Sequence, residues 1–255
     1  LVHDIMHVDI IGSSTAVLDA FTKTSHVGAK YFINVKNQST GETSNIEALI
    51  THDNTTGYVI SYNEHFSGNN SLITLTADIS GNTLSLRGSA TAGGSTKVIV
   101  HRIVAFGDSE STEANTDSTR KVIGNIVTSS SATEFDTFQS SDTDAVHYVI
   151  TGQGGTNENY ISEATVVTDG TGVFVSHGPH INTKSETELL VLSATISGGT
   201  VSVKAASTSG ATVVQAYAVR LKAPTEQVTT IDSWAHASSR GAKYYVSLVE
   251  QDSGY

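Results

Sequence analysis

The sequence predicts an all-β fold: antiparallel β-sandwich modules of jelly-roll-like type, set in tandem and joined by short polar linkers. Three observations carry this. Hydrophobic residues make up 38% of the chain and charged residues only 15%, with Ser, Thr, Gly and Asn filling the gap. Thr and Val suit a pleated sheet, and Gly, Asn and Asp supply its turns. Short stretches of period-two alternation recur between turn clusters. The chain also repeats itself.

The repeat is plainest in one hairpin. Leu75-Thr76-Ala77-Asp78-Ile79-Ser80-Gly81-Asn82-Thr83-Leu84-Ser85-Leu86-Arg87 returns as Leu192-Ser193-Ala194-Thr195-Ile196-Ser197-Gly198-Gly199-Thr200-Val201-Ser202-Val203-Lys204. Apolar residues fall on apolar residues, and the Ser-Gly turn falls on the Ser-Gly turn. Upstream, Leu18-Asp19-Ala20-Phe21 becomes Phe135-Asp136-Thr137-Phe138, and Tyr31 becomes Tyr148. Glu47-Ala48 matches Glu163-Ala164, and His52-Asp53-Asn54-Thr55 matches Thr168-Asp169-Gly170-Thr171 after a small slip. A third copy opens near residue 226, with Ile231-Asp232-Ser233-Trp234 and with Gly241-Ala242-Lys243-Tyr244 repeating Gly28-Ala29-Lys30-Tyr31. The expected organisation is module 1 over 1–107, a polar linker over 108–118, module 2 over 119–223 and the start of an incomplete module 3 over 224–255. The chain then reads as a segment of something longer; completion of the third sheet by a partner's strand is the less favoured alternative.

The elements follow in order. Val17, Leu18 and Phe21 have the spacing of one helix face, and Ser14 can cap it, which predicts a short helical turn over 14–21. Strands are expected at 30–35, 46–51, 58–62 and 97–105, with equivalents at 146–152, 162–167, 173–177 and 212–221. The 73–79 and 84–86 alternation predicts a hairpin with one buried and one wet face. A closed barrel is the competing architecture, and the pattern alone does not separate the two.

The totals also exclude partners. A net charge of −11, from 25 acidic and 14 basic residues, repels a phosphate backbone and a polyanionic membrane surface. Cysteine is absent, which removes thiol nucleophiles, thiolate metal sites and disulfides. No apolar run approaches the roughly 20 residues of a membrane-spanning helix, and the first residues lack the pattern of a signal peptide.

Two histidine pairs invite a metal: His3 with His7, which suits ligation only on a helix, and His177 with His180, where Gly178-Pro179 predicts a turn. Exposed loop or terminal histidines are the simpler reading of both, and His177 aligns with Tyr62. Paired carboxylates could serve a glycosidase, but Asp19, Asp136 and Asp232, Glu47 and Glu163, and Asp53 and Asp169 all recur with the module. Recurrence argues for structure: an Asx turn at Asp53 and a tie holding the segment around Asp19. The acidic stretches 108–117 and Asp142-Thr143-Asp144 lack calcium-loop spacing and read as solvated linkers. Tyr31, Tyr148 and Tyr244, and Phe21, Phe138 and Trp234, read as packing residues. Tyr62, Phe66 and Tyr160 are the loose aromatics available to a sugar platform. No catalytic, cofactor-binding or metal residue is assigned, and no cofactor is expected.

One resemblance is carried by Asp19 and Phe21, Ala29 to Tyr31, His52, Asp53, Thr55, Tyr58 and Ala77 to Gly81. In this order they resemble modules in virion structural proteins of T4-like marine phages, especially cyanophages, across the two full modules and the start of the third. The second copy departs, with Val146-His147 for Ala-Lys, Thr168 for His52 and Thr195 for Asp78. The resemblance implies a non-enzymatic fibre, appendage or assembly scaffold in an extracellular phage particle, with itself or other virion proteins as partners. A glycan- or receptor-binding adhesin is the alternative, and a polysaccharide-degrading enzyme stands below both.

Overall fold

In the computed structural model, residues 4–106 and 120–222 are described. The linker at 108–118, His3 and the third repeat, with Asp232, Trp234 and Tyr244, lie outside them. The described chain is all-β. In order, the strands are β1 (Asp4–Ile11), β2 (Thr15–Thr22), β3 (Gly28–Asn37), β4 (Thr43–His52), β5 (Gly57–Phe66), β6 (Ile73–Ser80), β7 (Thr83–Ala90) and β8 (Ser95–Phe106). They continue with β9 (Arg120–Thr128), β10 (Thr133–Gln139), β11 (Ala145–Gln153), β12 (Asn159–Thr168), β13 (Val173–Asn182), β14 (Leu190–Ser197), β15 (Thr200–Ser207) and β16 (Thr212–Leu221). No helix among the described residues is long and apolar enough to cross a membrane.

The first eight strands form a five-stranded sheet, β1-β8-β3-β4-β5, and a three-stranded sheet, β2-β7-β6. All pairings are antiparallel. The last eight repeat this order as β9-β16-β11-β12-β13 and β10-β15-β14. The β1–β8 and β2–β7 pairings, which bring the two ends of a unit together, are its jelly-roll-like part. Strands β3, β4 and β5 then stay in one sheet as a meander. The core of each unit lies between its two sheets: Leu18, Phe21, Tyr31, Ile33, Ile50, Leu84, Leu86 and Val100 in the first, and Phe135, Phe138, Tyr148, Ile150, Val166, Val201 and Val214 in the second.

The segment expected as a helical turn at 14–21 is strand β2. The helix-like spacing comes from a β-bulge, where the pairing with β7 shifts between Val17 and Asp19. The bulge turns Leu18 and Asp19 inward together and returns the strand to alternation at Phe21, so all three are buried. That spacing mimics one face of a helix, although a bulge produces it. The same bulge in β10, between Glu134 and Asp136, buries Phe135, Asp136 and Phe138. His177-Gly178-Pro179-His180, expected as a turn, lies inside β13, the edge strand of its sheet. A bulge opposite Glu163 accommodates it. Proline has no N–H to give a ladder, so an edge and a bulge are the places that tolerate it. Asp142-Thr143-Asp144 is the turn between β10 and β11 and not a solvated linker: Thr143 is buried and Lys222 Nζ lies 2.8 Å from Asp144 Oδ1.

Phe138 is 5% exposed at the heart of the second core. Phe138→Ala should cost about 3–5 kcal/mol through lost burial and the cavity it leaves. Urea unfolding followed by circular dichroism should show a lower midpoint at unchanged slope.

Candidate functional site

The recurring aspartate is the first polar centre. The bulge aims Asp19 from the small sheet towards the large one. Its Oδ2 accepts from Tyr31 Oη on β3 at 2.8 Å and from Arg102 Nη1 on β8 at 2.7 Å, and its Oδ1 accepts from the Ala20 amide at 2.8 Å. In the second unit, Asp136 Oδ2 accepts from Tyr148 Oη at 2.8 Å. The cations there come from different positions: Lys121 Nζ on β9 at 2.6 Å and Arg220 Nη2 on β16 at 2.8 Å, both to Oδ1. By register Arg102 faces Tyr31, whereas Arg220 faces Val146, two residues before Tyr148. The carboxylate and the phenol are thus held in place while the counter-charge is supplied by whichever side chain reaches. Burial, then the adjoining carboxylate, pushes both tyrosine hydroxyls well above their usual range. They are donors only, and each aspartate ties its two sheets together.

The Asx turns take the other recurring aspartates. Asp53 Oδ1 accepts from the Thr55 and Thr56 amides at 2.9 and 2.7 Å, and Tyr58 Oη donates to its Oδ2 at 2.9 Å. Asp169 Oδ1 likewise accepts from the Thr171 and Gly172 amides at 2.8 and 2.6 Å. Asn54 and Gly170 occupy the same left-handed position, with φ of 75° and 87°. Asn and Gly are the residues that tolerate it best.

The second polar centre joins the two units. The outer faces of the two five-stranded sheets are apolar and meet: Leu49, Tyr58, Ile60 and Tyr62 from β4 and β5 cluster with Val122, Val149, Ile161, Ile181, Tyr217 and Val219. Across this junction Asn159 Nδ2, at the start of β12, donates to His52 O, at the end of β4, at 2.5 Å. Asn54 Nδ2, just after β4, donates to Asn157 Oδ1, just before β12, at 2.9 Å. Strands β4 and β12 therefore run in opposite directions across the junction, and their midpoints meet at Glu47 and Glu163. These two are the repeat equivalents of each other. Each faces its β3 or β11 counterpart in the same register, Phe32 for one and Val149 for the other. A residue meeting its own equivalent is the mark of a two-fold contact, so the junction is pseudo-two-fold with its axis near the glutamates.

A lysine sits on that axis. Lys30 is fully buried; its ammonium pairs with Glu47 of its own unit and Glu163 of the other, and donates to Tyr62 Oη. It lies 4.5 Å from the Tyr62 ring centroid. Asn63, in the bulge of β5 with a φ of 48°, donates to Glu47 Oε1 at 3.0 Å. His147 takes the place of Lys30 in the second unit, and its Nε2 lies 3.7 Å from Glu163 Oε1. Burial alone pushes Glu163 upwards; His147 and the Lys30 ammonium outweigh it and hold the carboxyl down at about 2. The position equivalent to Tyr62 is Gly178, and His177 is the counterpart of Ser61, since these two stand opposite Ala164 and Ala48.

The other candidates are dispersed. His7 lies on strand β1, where the spacing from residue 3 lacks the helix it would need. His177 Nδ1 pairs with Glu188 Oε1 at 3.2 Å, and His180 Nε2 contacts Glu186 O at 3.2 Å. No group of three or more metal-ligating side chains occurs among the described residues. Of the loose aromatics, Tyr160 is in the second core, Tyr62 is in the junction and Phe66 is exposed at the end of β5. In the sequence Lys30 and His147 stand out only as motif positions, with no polar role attached, and Arg102, Arg220 and Lys121 do not stand out at all. The available signal was a cation inside an apolar alternating strand, as in Gly28-Ala29-Lys30-Tyr31-Phe32-Ile33. Compared with known proteins, the chain matches no family model, no curated sequence and no solved structure.

Lys30→Met leaves two buried carboxylates against each other and should destabilise by about 3–5 kcal/mol, the usual cost of breaking a buried ion pair from one side. Adding Glu47→Gln and Glu163→Gln should restore much of the loss, read as urea midpoints. The pH dependence follows from a depressed carboxyl. Glu163 falls from its ordinary 4.5 to about 2, so its contribution is complete above 4.5 and is lost as the pH falls towards 2. Stability should decline over that window, and more shallowly in Glu163→Gln.

Proposed function

We propose that this chain is a structural repeat protein of a phage virion, acting as a fibre or appendage element or an assembly scaffold in the extracellular particle. The observation that carries the reading is the junction. Both units spend the outer face of their larger sheet on contact with another unit, and the ionic group at its centre is built from equivalent positions of the repeat. Such a surface serves assembly. The recurring aspartates and glutamates are engaged in sheet ties, turns and the junction, which are structural tasks. The resemblance of the Asp19–Phe21, Ala29–Tyr31 and His52–Thr55 motifs to phage virion modules supplies the setting.

The purified chain should form elongated or polymeric particles in sedimentation velocity and negative-stain images. A compact monomer with no concentration-dependent assembly would sink this reading. In parallel, a glycan array probed with the same preparation should remain blank; reproducible binding to one glycan class would transfer the assignment to the adhesin alternative.

A further inference from the structure

The two units present the same cross-strand pair at the same end of the larger sheet, but in different surroundings. In the first unit it is Thr51 and Tyr58, with Gly28 beside Thr51. In the second it is Val167 and Phe174, with Ala145 beside Val167. Both pairs stand at the foot of the Asx turn, with Thr51 and Val167 just before His52-Asp53 and Thr168-Asp169 and Tyr58 and Phe174 just after the turn.

In the first unit this end is covered by the unit that follows it in the chain. Thr51 is fully buried and Tyr58 belongs to the junction cluster. Asn159 caps His52 O, Asn157 holds Asn54, and a methyl group added at Gly28 would lie 3.3 Å from Ile161 Cδ1. In the second unit the pair is more apolar and more exposed: Val167 is 41% and Phe174 64% accessible. A Val–Phe pair this exposed on a sheet face is an unfavourable place to leave apolar surface. The face cannot be closed by repeating the junction, because the Ile161, Ile181 and Tyr217 part of it is already occupied by the first unit.

Strand β16 ends at the same end of the sheet, one strand removed from this pair, since Leu221 and Val167 flank Ala145 on its two sides. The chain therefore leaves the second unit at the end of the sheet that carries the open patch. What comes next is the third repeat's opening segment, with Val228, Ile231, Trp234, Tyr244, Tyr245, Val246, Leu248 and Val249 in its 224–255 stretch. We propose that this segment docks on the Val167–Phe174 pair, covering the end of the second unit as the second unit covers the end of the first. The order of coverage is thus set along the chain, each unit closing the Asx-turn end of its predecessor. The inference does not depend on the phage setting.

The test compares hydrogen exchange by mass spectrometry in the full chain and in a Val167→Asp/Phe174→Asp variant. Both positions are exposed in the described units, so their fold should persist, which the protection of β3, β4, β11 and β12 reports directly. Docking requires amides of 228–249 to exchange at least about tenfold more slowly than an unstructured chain, and to lose that protection in the variant while the two units keep theirs. A milder Phe174→Ser change should give a partial loss. Fluorescence of Trp234, the one tryptophan of the chain, should shift to longer wavelength in the variants. Free exchange of 228–249 in the parent, or protection unaltered by the substitutions, would overturn the proposal. So would a change confined to the sedimentation coefficient, which would assign the patch to a second copy instead.

Discussion

Everything distinctive in this molecule follows from a sheet that is apolar on both faces. In β4 every residue from Glu47 to His52 is buried, and β12 is buried from Asn159 to Glu163. A sandwich covers one face of a sheet. The other face, carrying Leu49 in one unit and Ile161 in the other, must find cover elsewhere, and it finds it in the outer face of the neighbouring unit. Strands buried on both sides lose the clean alternation of a half-wet sheet. That is the state of β4 and much of β3, and of their repeats β12 and β11, while the small sheet keeps a wet outer face, as the alternating burial of β6 shows.

Burial on both sides creates an electrostatic difficulty that the repeat itself generates. A glutamate at a fixed place in the module, brought face to face with its own copy by a two-fold contact, gives two buried carboxylates at one point. Like charges there would be costly. Lys30 resolves this from one side, and His147 faces the same carboxylate from the other. The departure of the second copy from the Ala-Lys-Tyr motif thus falls on the axis of the junction, where two copies of one side chain would compete for the same space. The contact is symmetric in backbone and asymmetric in chemistry. It also pairs Leu49 and Ile60 with Ile161 and Ile181, whose counterparts Asn45 and His65, Thr165 and Ser176 are polar. Unit 1 therefore fits unit 2 better than it fits another copy of itself.

The fold class was legible because it rests on local pattern. Period-two runs, Ser-Gly turns and the repeat are short-range features, and the structure places strands at each stretch where alternation or a Thr- and Val-rich run was read. The bulge at Leu18 was not legible, since a bulged strand and a helix face share the spacing of Leu18 and Phe21. The aspartates were legible as structural by their recurrence, and the Asx turn at Asp53 by its own four residues. Their partners were not. Arg102 and Arg220 act from different register positions, so repeat alignment does not bring them together, and Lys121 has no counterpart cation. The Lys30–Glu163 contact joins different units, and nothing in either stretch of sequence names the other. A lysine in an apolar strand and a glutamate in Ile161-Ser162-Glu163-Ala164 were each readable as oddities; the pairing is a property of the assembled faces.

The geometry also says how further growth can occur. A two-fold contact uses the same patch on both partners and is thereby closed. Extension along the chain, or from chain to chain, has to use other surfaces. Most strand edges are poor candidates here. Of the eight edge strands, β2, β5, β9, β10 and β13 carry bulges, β13 with Pro179 as well, while β1, β6 and β14 pair with their neighbours without a register shift. Bulges and proline blunt edge-to-edge pairing. Apolar side chains left in the open include Ile5, Ile11 and Ile99 on the first unit and Val127, Val167 and Phe174 on the second, and they project from the sheet faces and strand ends. Growth through stacked faces and covered ends, rather than through continuous sheets, is the mode this distribution favours, because it buries the exposed apolar groups without asking a bulged edge to accept a new strand.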